Sequence, residues 1–396
     1  MRTEAEAGEF VNVRLPIFLE QGFSCLEREV VAERVCCLCG TCAAFCEKIK
    51  INEESRNELK PEFVEEYDTV CGLCYAFCPR TFLPFSELER RIFGVARASE
   101  AREVSEAKEV SEAREARASA EPLGVYRSCY AVRSKKEKGD LEGRVQDGGA
   151  VTSLLAYALE EGVLDSAVVT AADEQWRPQT RVARSHEDLK AAAGTKYTIY
   201  PSVLGVKEAF EEGCESVGFV GLPCQIQGLR KVQTSEQPYE VGKEKIKLLV
   251  GLFCMENFSA GLLEFVSARL EKEGLDLAGV KKFDIKGKEL LISGGASGGV
   301  HKIALDEIKE YESEGCSVCT DYTAELADIS VGSVGSEEGW STVLARTELG
   351  EEVVKGALEK GFVEVKEVEE KGLGLVRRLA VRKKRSGSGG KAGAGI

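Results

Sequence analysis

The chain has 396 residues, of which 43% are hydrophobic and 30% charged, a composition typical of a folded globular protein with two or three domains. Its net charge of -14 argues against a general nucleic-acid-binding protein, which needs a basic face. No apolar run is long enough to span a membrane, and the acidic N-terminal residues do not resemble a signal peptide. We therefore expect a cytoplasmic protein, with a peripheral position on the cytoplasmic face of a membrane as the alternative.

Cysteine is unusually frequent, with 15 residues against two histidines. In a long chain without a secretion signal, metal ligation or redox chemistry explains them better than disulfides do. Zinc sites often include histidine, whereas His186 and His301 are far in sequence from the N-terminal cysteines. Ligation by thiolates alone suits an iron–sulfur cluster or a four-cysteine zinc site.

Two cysteine runs lie near the N-terminus. The first has the pattern C-x2-C-x2-C-x3-C of bacterial ferredoxins and consists of Cys36, Cys39, Cys42 and Cys46. The second run consists of Cys71, Cys74 and Cys78, followed by Pro79. Asp68 occupies the position of its missing first cysteine. A zinc ribbon would explain four of these cysteines, but not seven in this order with a trailing proline, so the pattern favours a ferredoxin-like segment.

In such a segment the last cysteine of each run ligates the cluster of the other run. The pattern predicts one 4Fe–4S cluster held by Cys36, Cys39, Cys42 and Cys78. It predicts a second site held by Cys46, Cys71 and Cys74, with Asp68 as the favoured fourth ligand. A carboxylate is a harder ligand than a thiolate. An Asp-ligated cubane, a three-iron cluster and recruitment of Cys25 or Cys37 therefore remain as alternatives for the second site.

A charged repeat follows, in which SEAREV, SEAKEV and SEAREA succeed one another from Ser99. Ala, Glu, Arg and Lys are strong helix formers, so this segment is interpreted as a solvated helical spacer. The predicted domains are a ferredoxin-like iron–sulfur domain at 1–94, a charged helical linker at 95–121, an α/β core at 122–385 and a disordered tail at 386–396. The basic residues at 377–385 are interpreted as a solvated helix end rather than a docking patch.

Hydrophobic periodicity in the core alternates between helices and buried strands, which favours a mostly parallel sheet covered by helices. Helices are predicted at 151–161, from the capping-box motif at Ser185, and at 201–212, 259–273 and 349–360. Strands are predicted at 166–171, 216–220, 246–253, 342–346 and 362–365.

A second cysteine set lies in this core. Cys224 and Cys254 each follow a predicted strand, and ligands bind beyond the carboxyl ends of strands in such sheets. Cys316 and Cys319 form a C-x2-C pair, so four thiolates could hold one more cubane. The alternative is that Cys224 and Cys254 are buried packing residues. The remaining cysteines are interpreted as structural: Cys25, Cys37, Cys129 and Cys214.

The core motifs resemble those of the coenzyme F420 hydrogenase/dehydrogenase beta-subunit family. They are Asp147-Gly148-Gly149, Gly194-Thr195-Lys196-Tyr197, GLPCQ at 221–225, GLFC at 251–254, and Cys316-x2-Cys319 followed by ADISVG at 327–332. The preceding ferredoxin segment makes the chain more similar to the family's reduced-F420 dehydrogenase subunit. Asp68 departs from the full eight-cysteine pattern of that segment.

This resemblance implies an archaeal, methanogenesis-related oxidoreductase that moves hydride between reduced coenzyme F420 and FAD. It implies a third 4Fe–4S cluster at Cys224, Cys254, Cys316 and Cys319, and electron-transfer subunits of a larger complex as partners. A flavin fits this chemistry because it exchanges hydride for single electrons. No known phosphate-binding fingerprint occurs. The flavin residues implied by the resemblance are Asp147, Gly148, Gly149, Thr152, Gly194, Thr195, Lys196 and Tyr197. The glycines would permit close approach of the backbone to the cofactor. Lys196 could pair with a cofactor phosphate or with the reduced flavin.

Two other functions remain open from the sequence. One is an electron-wiring subunit without a substrate of its own, and the other is a related flavin and iron–sulfur reductase that acts on a different substrate.

Overall fold

The structure of the protein is a computed structural model that describes residues 21–52, 59–64, 71–94, 122–135, 145–237, 239–294 and 299–388. Asp68 and the predicted linker at 95–121 lie outside these residues, as does most of the predicted tail.

The N-terminal segment consists of short helices around a two-stranded antiparallel ribbon. Its helices are α1 (Phe23–Leu26, continued by a π-helical turn Glu27–Val31), α2 (Thr41–Ala44), α3 (Leu73–Phe77) and α4 (Phe85–Phe93). Its strands are β1 (Ile49–Asn52) and β2 (Lys60–Phe63), with Ile51 opposite Pro61.

The core continues the alternation of strands and helices. Its strands are β3 (Ser128–Ser134), β4 (Ser166–Ala172), β5 (Pro178–Ala183), β6 (Val217–Gly221), β7 (Ile246–Leu252), β8 (Val280–Lys286), β9 (Glu289–Gly294), β10 (Gly299–Ala304), β11 (Ile329–Gly332), β12 (Ser341–Ala345) and β13 (Val363–Lys366). Its helices are α5 (Ala150–Glu160), α6 (His186–Ala191), α7 (Leu204–Glu211), α8 (Pro223–Thr234), α9 (Gly261–Glu271), α10 (Glu348–Glu359) and α11 (Glu370–Ser388).

The core helices and strands predicted from periodicity are confirmed, with ends that differ by at most three residues. The capping motif is confirmed as well, because the Ser185 hydroxyl accepts a hydrogen bond from the Asp188 amide at 3.2 Å at the start of α6. Sequence reasoning missed β3, β5, β11 and the three strands β8 to β10.

Eight of the described strands form one mixed sheet in the order β13-β3-β12-β11-β7-β6-β4-β5. The prediction of a mostly parallel sheet is wrong, because among these strands only the neighbours β11, β7, β6 and β4 are parallel. Antiparallel pairs flank them on both sides. The turn 173–177 between β4 and β5 is too short for the crossover that a parallel pair requires.

Both faces of this sheet are covered, which explains the uninterrupted burial along β6. Along β7, Leu248 and Val250 pack with α5 and α10 on one face, and Leu249 packs with α7 and α8 on the other. The N-terminal segment joins this second face, where Phe77 is fully buried in the same apolar cluster as Leu249. The segment at 71–94 and the core therefore share one hydrophobic cluster.

Two further units complete the fold. Strands β8 to β10 form an antiparallel sheet whose Phe283 and Ile292 pack on Val266 of α9. Helix α11 packs Val376 against the core residue Tyr322. This helix ends at Ser388, so the first residues of the predicted disordered tail are helical. No helix in the parts of the chain that the structure describes is long and apolar enough to cross a membrane.

Glu351 joins helix α10 to the start of strand β3 through side-chain hydrogen bonds. Its carboxylate accepts hydrogen bonds from the Ser128 hydroxyl at 2.5 Å and from Arg127 Nε at 2.9 Å. The Ser128 hydrogen bond, followed by that of Arg127, lowers the pKa of Glu351 to about 2. Since this value lies below that of an unfolded glutamate, the stabilisation is complete above about pH 5 and is lost as the pH falls towards 2.

We expect Glu351→Gln to lower the free energy of unfolding by about 1–3 kcal/mol at pH 7. The difference from the wild type should shrink as the pH falls from 5 to 3, because the wild type then loses the same stabilisation. Urea unfolding at several pH values measures it, with Glu359→Gln at the exposed end of α10 as the matched control. If the loss of unfolding free energy in Glu351→Gln stayed constant over this pH range, the stabilising role of the ionised Glu351 carboxylate would be contradicted.

Candidate functional site

The first group of cysteines lies in the N-terminal segment and lines one cavity. It consists of Cys36, Cys39, Cys42 and Cys78. Left-handed backbone at Leu38 and Gly40 turns the chain so that the first three face the same way, and Cys78 arrives at the end of α3. Backbone amides of Leu38 and Arg80 approach the sulfurs of Cys36 and Cys78 at 3.4 Å. The structure thus brings together the four residues that the crossed ferredoxin pattern groups.

Burial determines the electrostatics of this group. Burial, followed by the charge of the neighbouring Cys37, raises the pKa of Cys36 to about 12 and that of Cys78 to about 11. Burial also raises the pKa of Cys42. Such thiols become thiolates when a bound metal compensates their charge, so the donor set fits an iron–sulfur cluster.

The second group consists of Cys46, Cys71 and Cys74, which line another cavity together with Phe23 and Phe63. Burial raises the pKa of Cys46, and Cys71 is among its electrostatic neighbours. Asp68, the predicted fourth ligand, lies outside the described residues. Cys25 and Cys37 are the two cysteines predicted as alternative fourth ligands. Of these two, Cys25 packs in the same apolar cluster as Cys46 and Cys74.

Cys37, the other alternative, lies elsewhere. Its buried side chain packs against Cys39 and the core residue Cys224. The structure therefore does not bring Cys37 to the second group. It also gives Cys37 a place at the boundary between the first group and the core, which its position in the sequence did not reveal.

The core cysteines form the third group. Adjacent parallel strands β6 and β7 end at the same edge of the sheet, and Cys224 and Cys254 follow them there. Pro223 starts α8, and the Gln225 side chain accepts a hydrogen bond from the Leu222 amide at 2.8 Å, which fixes the turn that carries Cys224.

The C-x2-C loop completes this third group. The Cys254 amide donates to the Tyr322 carbonyl at 2.8 Å, which attaches this loop to the end of β7. Electrostatic interactions join Cys254 with Cys316 and Cys319, and Cys224 with Cys319. Burial raises the pKa of Cys254 and of Cys316. The four residues predicted from the family resemblance are thus neighbours, and as buried thiols they fit a cluster.

No three His, Cys, Asp or Glu side chains within the described residues converge as the ligands of a single metal ion would. Each thiolate of a cubane ligates a different iron, so the ligands of a cluster stand further apart than those of one ion.

The first and third groups are contiguous. Gly315, beside Cys316, lies against the backbone of Cys36 and Cys37, and a Cβ atom at Gly315 would come within 2.4 Å of the Cys36 carbonyl oxygen. Arg80 bridges the same interface, since its Nη2 donates to the Gly315 carbonyl at 3.1 Å. Burial lowers the pKa of Arg80, but the adjacent Cys37, Cys319 and Cys224 raise it overall, so the guanidinium stays charged.

Helix α11 closes the core group from the other side, a contact that the sequence did not indicate. The Lys383 side chain is only 4% exposed, and its amine donates to the carbonyls of Met255 and Cys316. Gly387 packs on Cys319, where a Cβ atom would lie 2.4 Å from the carbonyl oxygen. The interpretation of 377–385 as a solvated helix end is therefore wrong for Lys383, because the helix turns this residue towards the cysteines.

The first predicted flavin segment lies at the start of α5. The Asp147 carboxylate accepts a hydrogen bond from the Gly339 amide at 2.7 Å, and burial raises its pKa. A Cβ atom at Gly148 would lie 2.4 Å from the Val132 carbonyl oxygen, and Gly149 has the left-handed φ of +69° before α5. The fold itself therefore requires both glycines. Thr152 follows in the first turn of α5 and is buried.

The second predicted flavin segment follows α6. Gly194 has a left-handed φ of +84°, and Thr195 is half-buried. The Lys196 amine donates to the carbonyls of Ala192, Ala193 and Gly194, and burial lowers its pKa to about 7. A lysine has three donors, so Lys196 would have to leave these carbonyls to pair with a cofactor phosphate.

A charged pair on β8 connects the two segments. The pair consists of Lys282 and Asp284, and both interact electrostatically with Asp147 of the first segment. In the second segment, burial of Tyr197, followed by the charge of Asp284, raises the pKa of Tyr197. Gln146 donates to Asp284 at 2.7 Å, while its buried Oε1 atom has no hydrogen-bond partner among the described residues. Such an orphaned polar atom fits a site for a polar cofactor. Sequence reasoning missed Gln146, Lys282 and Asp284, because their strand and turn have no distinctive pattern.

Tyr197 also interacts with Cys254 and Tyr322. Through Tyr197, the second candidate flavin segment therefore lies within electrostatic range of the third cysteine group, which is in turn contiguous with the first.

Comparison with known sequences agrees with these motifs. The family profile "Coenzyme F420 hydrogenase/dehydrogenase, beta subunit N-term" matches residues 129–207, and the companion profile for the C-terminal part of the same beta subunit matches residues 214–371. The chain belongs to this family. The ferredoxin-like segment lies outside both matched regions.

Individual relatives support the assignment. The chain is 46% identical over 268 residues to Coenzyme F420 hydrogenase subunit beta of Methanothermobacter thermautotrophicus, a match that covers 66% of this chain and 92% of the relative. It is 34% identical over 264 residues to one of the subunits of the F(420)H(2) dehydrogenase of Methanosarcina mazei, covering 66% and 71%, respectively. A chain in a solved structure of the F420-reducing [NiFe] hydrogenase complex from Methanosarcina barkeri superimposes with a TM-score of 0.62 at 39% identity, covering 67% of this chain and 91% of that chain.

Two glycines of α11 test how this helix covers the core cysteines. Gly387→Ala should lower the free energy of unfolding by about 1–3 kcal/mol, because the new Cβ atom overlaps the Cys319 carbonyl. Gly374→Ala is the matched control in the same helix. Its Cβ atom would meet only the tip of Arg378 at 3.7 Å, so higher helix propensity should make it neutral or up to about 1 kcal/mol stabilising. Urea unfolding measures both variants, and equal effects would refute the close contact at Gly387.

Proposed function

We propose that this protein is an F420-linked oxidoreductase subunit that moves hydride between reduced coenzyme F420 and FAD, and passes single electrons through 4Fe–4S clusters to or from a partner complex. The observation that carries the proposal is the continuity of its sites. Tyr197 in the candidate flavin segment interacts electrostatically with Cys254 of the third group, and Cys224 of that group packs against Cys37 and Cys39 in the N-terminal segment. Membership of the F420 hydrogenase/dehydrogenase beta-subunit family supports the substrate.

Bound FAD would supply the exchange between hydride and single electrons, and bound clusters would supply one-electron carriers. The residues proposed to hold the clusters are the three cysteine groups, with Asp68 as the fourth ligand of the second. The residues proposed at the flavin are Asp147, Gly148, Gly149, Thr152, Gly194, Thr195, Lys196 and Tyr197, joined by Gln146, Lys282 and Asp284.

The described side chains have defined tasks in this proposal. Lys282 orders the turn before α5 by donating to the Gln146 carbonyl at 2.6 Å. Burial raises the pKa of both Tyr197 and Tyr322, so these two phenols, which interact electrostatically with Cys254, stay protonated at neutral pH. Lys383 and Gly387 hold α11 over the C-x2-C loop.

Metal and flavin content test the proposed cofactors directly. Anaerobically purified protein should contain one FAD and about twelve irons if all three sites hold cubanes. Cys39→Ser and Cys319→Ser should each remove about four irons, whereas Cys129→Ser in β3 should remove none. Retention of all iron in Cys319→Ser, or the absence of FAD from the wild type, would contradict the proposal.

Substrate assays then separate this function from its alternatives. Reduced F420 mixed anaerobically with the protein and an artificial one-electron acceptor should regain its deazaflavin absorbance. A wiring subunit would lack FAD and would not oxidise F420, and a reductase for another substrate would contain FAD but be inert towards F420. Co-purifying subunits would identify the partner complex.

Asp68 requires its own test. If Asp68 ligates the second cluster, Asp68→Ala should convert a cubane into a three-iron cluster, because the site would then have only three ligands. Asp68→Cys should restore four irons through the softer thiolate. Electron paramagnetic resonance distinguishes the two cluster types, and Cys25→Ser is the control for the competing ligand. A three-iron signal already in the wild type, or in Cys25→Ser alone, would remove Asp68 from the ligand set.

A further inference from the structure

Arg80 is the residue that joins the loops of two cysteine groups. It follows Cys78 and Pro79 in the sequence, and its own amide lies 3.4 Å from the Cys78 sulfur. At the other end of the residue, Nη2 donates to the carbonyl of Gly315, which precedes Cys316. One side chain therefore extends from the first cysteine group to the third.

The guanidinium of Arg80 also faces sulfur rather than solvent. Its strongest electrostatic interactions are with Cys37, Cys319 and Cys224, and it hydrogen-bonds to Cys319. Its Nε atom is buried and has no hydrogen-bond partner among the residues that the structure describes. A buried donor without a partner is costly, and sulfur atoms of a cluster would satisfy it.

Two buried lysines provide the contrast. Lys383 contacts the third group alone, through the Cys316 carbonyl. Lys231 contacts the first group alone, because its amine donates to the Cys78 carbonyl at 2.5 Å and to that of Phe82. Of these three cations, only Arg80 borders both groups.

We propose that Arg80 is a positioning residue shared by the first and third clusters, and that its fixed charge raises the reduction potentials of both. A cluster becomes more negative when it takes up one electron, and no bond forms or breaks. A nearby cation and a hydrogen bond to sulfur stabilise the reduced form, so both raise the potential. The inference rests on the proposed cluster assignments and adds a residue that belongs to neither ligand set.

The test is an anaerobic redox titration with dithionite, followed by electron paramagnetic resonance. The signals are assigned by their loss in Cys39→Ser and Cys319→Ser. In Arg80→Gln, the midpoint potentials of the first and third clusters should both become more negative. The potential of the second cluster should not change, which makes it an internal control.

Three further variants define the cause. Arg80→Lys keeps the charge and should leave both potentials close to those of the wild type. Lys383→Gln should shift the third cluster alone. Arg91→Gln is the matched structural control, because Arg91 also joins the N-terminal segment to the core, through the Thr234 carbonyl at 3.1 Å, but away from the cysteines.

The outcomes separate this proposal from the proposed function. Wild-type protein without cubane signals would refute the cluster assignments themselves. With those signals present, an unchanged potential of either the first or the third cluster in iron-replete Arg80→Gln would overturn the role of Arg80, as would an equal shift of all three clusters. If Arg80→Gln loses iron, Arg80→Lys decides: wild-type potentials support the charge, and a negative shift of both refutes it.

Discussion

The N-terminal segment meets the core through direct backbone contact between Gly315 and residues Cys36 and Cys37, which leaves no room for even a methyl group. Similar contacts occur nearby, where Gly228 of α8 meets Thr41 and Gly40 meets Pro201. Side chains at these glycines would hold the N-terminal segment away from the core. Direct backbone packing instead brings the first cysteine group against the third, and the proposed electron path depends on that proximity.

Charge is the second requirement of this interface. Arg80, Lys231 and Lys383 all have their charged ends among cysteines and backbone carbonyls, and the two lysines are almost fully buried. Burying cations is costly unless anions accompany them. Neutral thiols would not supply that compensation, whereas clusters ligated by thiolates carry net negative charge. The cations are thus understandable as partners of cofactors, and carbonyl groups fix where each one lies.

The sequence predicted the local features of this protein well, because cysteine spacing and hydrophobic periodicity are local. It grouped Cys78 with Cys36, and it placed the central strands and their helices. Strand partners were less accessible, because the sequence of a strand does not reveal the direction of its neighbour, so the antiparallel flanks of the sheet were missed. The strands β8 to β10 were also missed, because lysines and glycines interrupt the few apolar positions that alternate along them.

In the candidate site, too, the sequence predicted local motifs but not the contacts between distant segments. Cys224, Cys254 and the C-x2-C pair were found through family motifs, whereas Arg80, Cys37 and Lys383 were not. Their roles arise from contacts between segments far apart in the chain, as when Lys383 reaches Cys316 from the last helix. Gly148 illustrates the opposite case. Its motif suggested cofactor approach, but the Val132 carbonyl alone explains why no side chain fits there.

In the proposed function, the cofactors form one continuous path through the chain. Diffraction from anaerobically grown crystals, measured at the iron absorption edge, tests it most directly. We expect cluster-sized anomalous density among the four cysteines of the first group and among the four of the third, on either side of Arg80, with further density at Cys46, Cys71 and Cys74. Absence of iron between Cys224, Cys254, Cys316 and Cys319 in iron-replete protein would interrupt the path at its centre and contradict the proposed electron transfer.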